Sequence, residues 1–250
     1  MTFGQPYVGT DFGPKLLRKA GLLKCLASIG WRVHDNGDLD FESVAKSTKM
    51  SKNNPKAKNS LIVGKGCEMV ANAVIEAIDD GTFPLLIGGD HSIAAGSLAG
   101  LLKARPNTGV IWVDAHADLN IPELSDSGNM HGMPVGLLMK GMVKENCMVE
   151  GFEWLDSEEM KDVRLNPDSI VYIGLRDVDA NERVILREKG IKSFTMFEVD
   201  KYGIGGVMEQ TLDYLLEKDP DRPLHLSYDI DAVDAEIAQA TGKLRYAQTR

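Results

Sequence analysis

The sequence has few cysteines and no long apolar run, and each shortage excludes a class of protein. The only cysteines among its 250 residues are Cys25, Cys67 and Cys147. They are widely spaced and form no CxxC pair, which favours reduced thiols in a cytosolic protein over a disulfide framework. No apolar run reaches membrane-spanning length, and residues 1–10 lack the basic and apolar regions of a signal peptide. We therefore expect a cytoplasmic protein without a membrane partner.

Basic residues are also in short supply. The chain has 28 Lys and Arg against 37 Asp and Glu, a net charge of −9, so it lacks the basic surface that binds phosphate backbones and we expect no nucleic-acid partner. The one basic stretch, residues 46–59, contains no aromatic residue and is typical of a solvated loop. There is no Pro/Gly-rich linker and no internal repeat, so residues 1–250 are predicted to form a single domain.

The hydrophobic pattern alternates between helix and strand. Helical spacing occurs in residues 14–29, 59–79 and 92–103, and helices also fit near 179–189 and 206–217. The predicted strands are residues 31–35, 83–89, 109–115, 169–175, 191–196 and 223–229. Because most of these strands are apolar throughout and alternate with helices, the pattern predicts an α/β fold with a mostly parallel sheet covered on both faces.

Three predicted strands end in side chains that are costly to bury. In chain order these are Asp90 and His91, then Asp114, His116 and Asp118, then Asp229 and Asp231. Alternate side chains of an extended segment point the same way, and ligands of such sheets bind beyond the carboxyl ends of the strands. The set that can converge consists of four carboxylates, Asp114, Asp118, Asp229 and Asp231, and the imidazoles of His91 and His116. The carboxylates repel one another unless cations neutralise them, which two divalent ions would do.

The ligand types favour manganese. Oxygen-rich ligation with some imidazole suits Mn²⁺ better than Zn²⁺, whose sites favour Cys and His. Two ions that share carboxylates would lie about 3.5–4 Å apart and could bridge a hydroxide nucleophile at neutral pH. The DAHAD segment alone (114–118) leaves a metal site and a solvated loop equally open. Three such features at different strand ends favour a shared site, whereas His34 and His225 are interpreted as structural.

Five segments in order resemble the arginase branch of the ureohydrolase family: GGDHS (88–92), DAHAD (114–118), SGNMHGMP (127–134), GLRDVDANE (174–182) and SYDIDAVD (227–234). Residues 12–22 also resemble the first helix of that family, and the match extends to about Gly242. The resemblance implies a three-layer αβα sandwich, two Mn²⁺ ions, and hydrolysis of L-arginine to L-ornithine and urea. It also implies a homo-oligomer, commonly a trimer.

The resemblance implies a role for each matching residue. The metal ligands would be His91, Asp114, His116, Asp118, Asp229 and Asp231. Asp118 would also hydrogen-bond the metal-bridging hydroxide, and His131 would carry a proton to the leaving amine. The substrate α-carboxylate would be bound by Asn120, Ser125, Ser127 and Asn129, and the α-amino group by Asp179 and Glu182. A carboxylate-binding loop favours arginine over agmatine.

The residues themselves leave simpler interpretations open. SDSGN (125–129) is also typical of a turn, and RDVDANE (176–182) of a helix N-terminus with acidic residues near its positive end. His131 alone is typical of an ordinary loop histidine.

The sequence departs from the family pattern at both ends. After residue 234 it continues AEIAQATGKLRYAQTR, with Lys243 where the family has a threonine near the substrate. No residue matches the glutamate with which the family pairs the substrate guanidinium. The pattern therefore resembles a family member that lacks its first and last strands and is incomplete at the C-terminus. Two alternatives follow: a catalytically impaired metal-binding isoform, and a ureohydrolase for another guanidino substrate such as agmatine.

Overall fold

The computed structural model describes residues 1–7, 9–48, 54–144, 148–234 and 236–238. Its helices are α1 (Gly13–Lys19), α2 (Leu22–Ser28), α3 (Phe41–Ser47), α4 (Ser60–Asp79), α5 (Ile93–Ala104), α6 (Pro134–Leu138), α7 (Ala180–Glu188) and α8 (Met196–Leu216). Its strands are β1 (Gly109–Val113), β2 (Ile170–Leu175), β3 (Lys192–Thr195) and β4 (Leu224–Tyr228). Short 3₁₀ helices lie at Thr10–Phe12, Met130–Gly132, Glu153–Asp156, Pro167–Ser169 and Ile230–Ala232.

The four strands form one parallel sheet in the order β3-β2-β1-β4. β1 and β2 lie inside the sheet and are almost fully buried, which is why their sequences are apolar throughout. The predicted parallel sheet is therefore confirmed for these four segments.

Helices cover both faces of the sheet. On one face, Trp112 and Tyr172 belong to a large apolar core with residues of α4, α5, α6 and α7. On the other face, Ile111 and Val171 pack against Val207 of α8. This arrangement is the predicted three-layer αβα sandwich. No described helix is long and apolar enough to cross a membrane.

Two predicted helices differ from the observed ones. The helix expected over residues 14–29 is broken into α1 and α2, because Gly21 adopts a left-handed conformation with φ 99°. The helix expected from residue 206 begins at Met196 instead, where the side chains of Thr195 and Glu198 form a capping box. Gly203, at φ 70°, interrupts that helix.

The strands predicted at residues 31–35 and 83–89 are wrong: neither segment pairs into the sheet. Their apolar side chains stay in solvent, with Trp31 53% and Phe83 70% exposed and their ring centroids 5.6 Å apart. One edge of the described sheet is β4, where Leu226 is 59% exposed. A β-strand exists only where a neighbour accepts its backbone hydrogen bonds, and no described segment supplies such a neighbour here.

The cysteines that can be assessed agree with reduced thiols: Cys25 is exposed, Cys67 is buried, and both are free. Cys147 lies outside the described residues, as do residues 49–53 of the basic stretch and the segment around Lys243.

Glycines bring α4 and α5 into close contact. A Cβ atom at Gly96 would lie 2.3 Å from the carbonyl oxygen of Cys67, and one at Gly100 would lie 2.5 Å from that of Ala71. Both obstacles are backbone atoms, which cannot rotate away. The position of α5, and of His91 just before it, therefore depends on these glycines.

We expect Gly96→Ala to lower the free energy of unfolding by about 1–3 kcal/mol, because the added methyl group separates the two helices. Urea denaturation measures the change. Gly205→Ala in α8 is the matched control: its new Cβ meets nothing within 4 Å, and alanine's helix propensity should raise stability by about 0.5–1 kcal/mol. Equal urea midpoints for Gly96→Ala and the parent chain would contradict the close packing.

Candidate metal centre

The candidate centre lies at the carboxyl ends of β1 and β4. Asp114 directly follows β1, and its backbone N–H donates to the carbonyl of Ile173, 3.1 Å away. Asp229 directly follows β4, and its N–H donates to the carbonyl of Val113 at 2.9 Å. The backbone hydrogen bonds of the parallel sheet therefore extend to both aspartates. These bonds fix the backbone positions from which the two side chains extend.

His91 joins three of the aspartates at one point. Its Nδ1 atom lies 3.0 Å from Oδ2 of Asp114, 3.0 Å from Oδ2 of Asp118 and 3.2 Å from Oδ2 of Asp229. A ring nitrogen carries at most one hydrogen, which cannot point at three oxygens. Ligand atoms about 3.0 Å apart are, however, what an octahedral cation with bonds of about 2.1 Å requires. The geometry suits a coordination sphere better than a hydrogen-bond network.

A second group forms on the other side of Asp114. Nδ1 of His116 lies 3.2 Å from Oδ1 of Asp114 and 3.2 Å from Oδ2 of Asp231. Two sets of candidate ligand atoms, each set within 4.8 Å, therefore share Asp114: one with His91 and Asp118, the other with His116 and Asp231. The structure thus brings together all six residues that the sequence placed at one metal site.

The electrostatics of this cluster are those of crowded, buried acids. Burial and then the charge of Asp114 raise the pKa of Asp118 to about 8. Burial lowers the pKa of His116, but the carboxylates of Asp114 and Asp231 outweigh it and raise the value to about 10. Burial likewise opposes protonation of His91, yet its three carboxylate neighbours raise its pKa well above the ordinary value. Without cations, the cluster therefore retains protons at neutral pH.

Backbone hydrogen bonds hold the loop that carries Asp118 in place. Asp118 has a left-handed conformation with φ 49°, which is uncommon outside glycine. Its carbonyl accepts hydrogen bonds from the N–H groups of Val135 and Gly136 at the start of α6. A Cβ atom at Gly136 would lie 2.1 Å from the carbonyl oxygen of Asn120, so α6 packs directly on this loop.

His131 lies in the 3₁₀ helix Met130–Gly132. Its Nδ1 is 2.9 Å from the carbonyl oxygen of Gly4, which also accepts its backbone N–H at 3.1 Å. A carbonyl can only accept, so Nδ1 carries the ring hydrogen and Nε2 is left as an acceptor. These hydrogen bonds do not connect His131 to the six-residue cluster.

The serines predicted to bind a carboxylate stabilise a turn. Oγ of Ser125 accepts the N–H of Gly128 at 2.9 Å, and Oγ of Ser127 accepts the N–H of Asn129 at 3.2 Å. The turn that the sequence allowed as an alternative interpretation of residues 125–129 is therefore present. Because both hydroxyls accept, each keeps its hydrogen for donation to another group.

Asn120, Asp179 and Glu182 form a connected set. Nδ2 of Asn120 donates to Oδ2 of Asp179 at 3.0 Å, while its Oδ1 is buried without a partner. Asp179 caps α7, and its N–H donates to Oε2 of Glu182 at 3.0 Å. The other oxygen of Glu182 accepts the N–H of Leu119 at 2.8 Å. Glu182 is only 3% exposed. Its two hydrogen bonds join the start of α7 to the loop that follows Asp118.

The sequence did not single out two neighbours of the histidines. Oγ of Ser227 lies 2.9 Å from Nε2 of His91, and Oδ2 of Asp177 lies 3.6 Å from Nε2 of His116. Ser227 precedes Asp229 by two residues, so the two side chains point to the same face of an extended segment. This spacing is the sequence signal that could have identified Ser227. Asp90, by contrast, turns away and accepts N–H groups from Gly4 and Ser92.

Comparison with known proteins shows that the chain is similar to arginases in both sequence and structure. The sequence model of the Arginase family matches residues 1–246. Arginase-1 of Homo sapiens is 45% identical over 239 residues, which cover 96% of this chain and 71% of the human protein. The Bacillus cereus arginase structure matches with TM-score 0.79 and 38% identity, covering 94% of this chain and 74% of that one. The Entamoeba histolytica arginase in complex with L-ornithine matches with TM-score 0.77 and 30% identity, with the same two coverages.

Mn²⁺ binding at pH 7 should release protons, because coordination requires His91, His116 and Asp118 to lose the hydrogens that their raised pKa values retain. Protons compete with the ion, so its affinity should increase as the pH rises from 6.5 to about 8. Calorimetry in buffers of different ionisation enthalpy counts the protons.

The exposed His34 provides the control, since His34→Asn should leave the proton count unchanged. An affinity that stays constant across this pH interval would contradict the protonated cluster.

Proposed function

The chain belongs to the arginase family of enzymes that act on a guanidino C–N bond, and from this premise we propose that it hydrolyses L-arginine to L-ornithine and urea with two Mn²⁺ ions. The observation that carries the proposal is the pair of ligand groups that share Asp114. The Entamoeba histolytica relative was solved in complex with L-ornithine, which is the proposed amino-acid product.

Each ion would have its own ligands. His91, Asp118 and Asp229 would hold one ion, His116 and Asp231 the other, and Asp114 would bind both through its two oxygens. Oxygen ligands with one imidazole per ion suit Mn²⁺. Bound ions would supply Lewis-acid chemistry, which makes water acidic enough to serve as a nucleophile near neutral pH.

Two residues would handle protons. We assign Asp118 to accept a hydrogen bond from the attacking water, because its carboxylate lies inside the cluster and its backbone is held by α6. We assign His131 to transfer a proton to the leaving amine. Its contact with Gly4 occupies the hydrogen of Nδ1, so Nε2 is the atom that would take up a proton from solvent and pass it to the amine.

The substrate's amino-acid end would be held by the neighbouring loops. The free hydroxyl hydrogens of Ser125 and Ser127 complement an α-carboxylate, and Asn120 and Asn129 lie on the same loop. Asp179 is exposed and complements the α-ammonium group. Both oxygens of Glu182 already accept backbone N–H groups, so we assign it to holding Asp179 in place.

One observation favours a second candidate function, a metal-binding arginase-like chain without turnover. Among the described residues nothing pairs with the outer edge of β4, and Leu226 and Tyr228 are exposed next to Asp229. A guanidinium held there would meet solvent on one side, and loss of positioning alone lowers rates by orders of magnitude.

Urea release from L-arginine in the presence of Mn²⁺ tests the main proposal. We expect turnover by the parent chain and a decrease of about 10²–10⁴-fold in Asp118→Asn, because the group that orients the attacking water is neutralised. Asp213→Asn, an exposed carboxylate on α8, should keep full activity. If the parent chain binds Mn²⁺ but releases no more urea than Asp118→Asn, the second candidate function is correct.

Ser127→Ala tests the choice of arginine over agmatine. Removing a hydroxyl that donates to the α-carboxylate should lower kcat/KM for L-arginine by about 10–100-fold, the range for hydrogen bonds to charged groups. Agmatine has no carboxylate and is the internal control, so its turnover should not change. Turnover of agmatine in preference to arginine by the parent chain would assign the other guanidino substrate.

A further inference from the structure

The loop that is proposed to bind the substrate carboxylate is itself acidic. Residues 120–129 contain Glu123 and Asp126 and no lysine, arginine or histidine. Both acidic side chains are exposed. Two negative charges on one short loop repel an incoming α-carboxylate. A carboxylate subsite on this loop therefore needs positive charge from another part of the chain.

The segment 54–59, at the end of the basic stretch, packs along this loop. The backbone N–H of Lys58 donates to the carbonyl of Gly128 at 2.8 Å. A Cβ atom at Gly128 would lie only 1.9 Å from the carbonyl oxygen of Pro55. The side chain of Ala57 is buried in the large apolar core. The backbone of this part of the basic stretch is therefore docked on the loop, although its sequence is typical of a solvated segment.

The same segment brings positive charge to the loop. The ammonium group of Lys56 donates to the carbonyl of Ser125 at 2.8 Å, in a partly buried contact between residues 69 positions apart in the sequence. Residues 54–59 contain two lysines, Lys56 and Lys58, and no acidic residue. The lysines of the segment therefore equal the acidic residues of the loop in number.

The contact holds the charge of Lys56 at the turn that carries the carboxylate donors. The hydroxyl of Ser125 accepts the N–H of Gly128, and Ser127 lies in the same turn. An ammonium group has three hydrogens, so its bond to one carbonyl leaves two of them for other acceptors. A cation in this position attracts a carboxylate that approaches the serine hydroxyls and offsets the acidic residues of the loop.

We propose that Lys56 is a specificity-determining residue, whose ammonium group positions the turn at Ser125 and supplies the positive charge that lets an acidic loop accept a substrate carboxylate. The proposal rests on the proposed function, which assigns the α-carboxylate to this loop. It gives the basic stretch a part in selecting an amino acid over the corresponding decarboxylated amine. Because Lys56 is exposed, its effect should be modest and should weaken in salt.

Lys56→Met tests the proposal, since methionine keeps an unbranched side chain and removes the charge. Loss of one hydrogen bond and one exposed charge should raise KM for L-arginine by about 3–10-fold. The value of kcat should stay within about twofold, because only binding common to the ground state and the transition state is removed. Lys56→Arg should restore the KM of the parent chain. The difference between Lys56→Met and the parent should shrink as ionic strength rises from about 0.1 M to 1 M.

Agmatine provides the comparison within each variant. It lacks the carboxylate, so its KM, or its inhibition constant where it is not hydrolysed, should be the same in Lys56→Met and the parent chain. A distorted loop would instead weaken L-arginine and agmatine equally at every ionic strength, and this result would contradict a role in specificity.

Lys189→Met is the matched control. The ammonium group of Lys189 also donates to a distant backbone carbonyl, that of Lys140, at 3.0 Å. The substitution changes the net charge by the same amount as Lys56→Met and should leave KM for L-arginine unchanged. An equal rise of KM in both variants would assign the effect to net charge and overturn the proposal.

The remaining outcomes separate this inference from the proposed function. Unchanged KM in Lys56→Met, with turnover by the parent chain, would remove the role of Lys56 and leave the proposed function intact. If the parent chain shows no turnover, calorimetric binding of L-ornithine to the Mn²⁺-loaded chain replaces KM, and Lys56→Met should bind it about 3–10-fold more weakly. A parent chain that neither hydrolyses L-arginine nor binds L-ornithine would overturn both proposals. If Lys56→Met does not fold by circular dichroism, the parent chain alone decides: a KM for L-arginine that does not rise with salt relative to the agmatine constant would exclude the charge effect.

Discussion

Repulsion among four carboxylates gathered at the ends of two adjacent strands is the constraint on which the rest of the structure depends. Two like charges 4 Å apart repel by about 4 kcal/mol at the effective dielectric constant near a protein surface. Asp114 and Asp118 are almost completely buried, so water screens them little. The cluster therefore requires counter-charge, and the fold supplies two histidines within about 3 Å of the acids. The same crowding makes the cluster a strong candidate for divalent cations.

The cluster lies at the ends of two strands that differ in how many neighbouring strands they pair with. Asp114 follows β1, an interior strand paired on both sides, whereas Asp229 follows β4, which among the described residues pairs only with β1. The half of the centre that contains Asp229 and Asp231 is therefore held by a single ladder. Exposed apolar residues along β4, such as Leu226, show that this edge has the composition of an interior strand. The weaker half of the site is the half nearest this open edge.

The sequence was informative where a pattern depends on local geometry. The two-residue period and the apolar strands predicted β1, β2, β3, β4 and the convergence of side chains at their ends. Pairing is not local, so the same apolar pattern wrongly predicted strands at 31–35 and 83–89, which pair with no strand in the part of the chain that the structure describes. The break at Gly21 depends on a positive φ that the helical spacing of its neighbours does not reveal. Ser227 was missed because its contact with His91 depends on which strands lie side by side.

Proton retention explains how such a centre can exist before a cation binds. At neutral pH the metal-free cluster offsets much of its own charge, since Asp118 keeps a proton and both imidazoles are cationic. Two divalent cations would bring a charge of +4 in place of the +3 carried by these three protons, so the local charge would stay small in both states. The backbone contacts of Asp118, the ladder bonds of Asp114 and Asp229 and the capping contacts of Glu182 involve no cation. The fold thus holds these side chains in place by itself, and the binding of divalent cations would be an exchange of charge within a site that is already built.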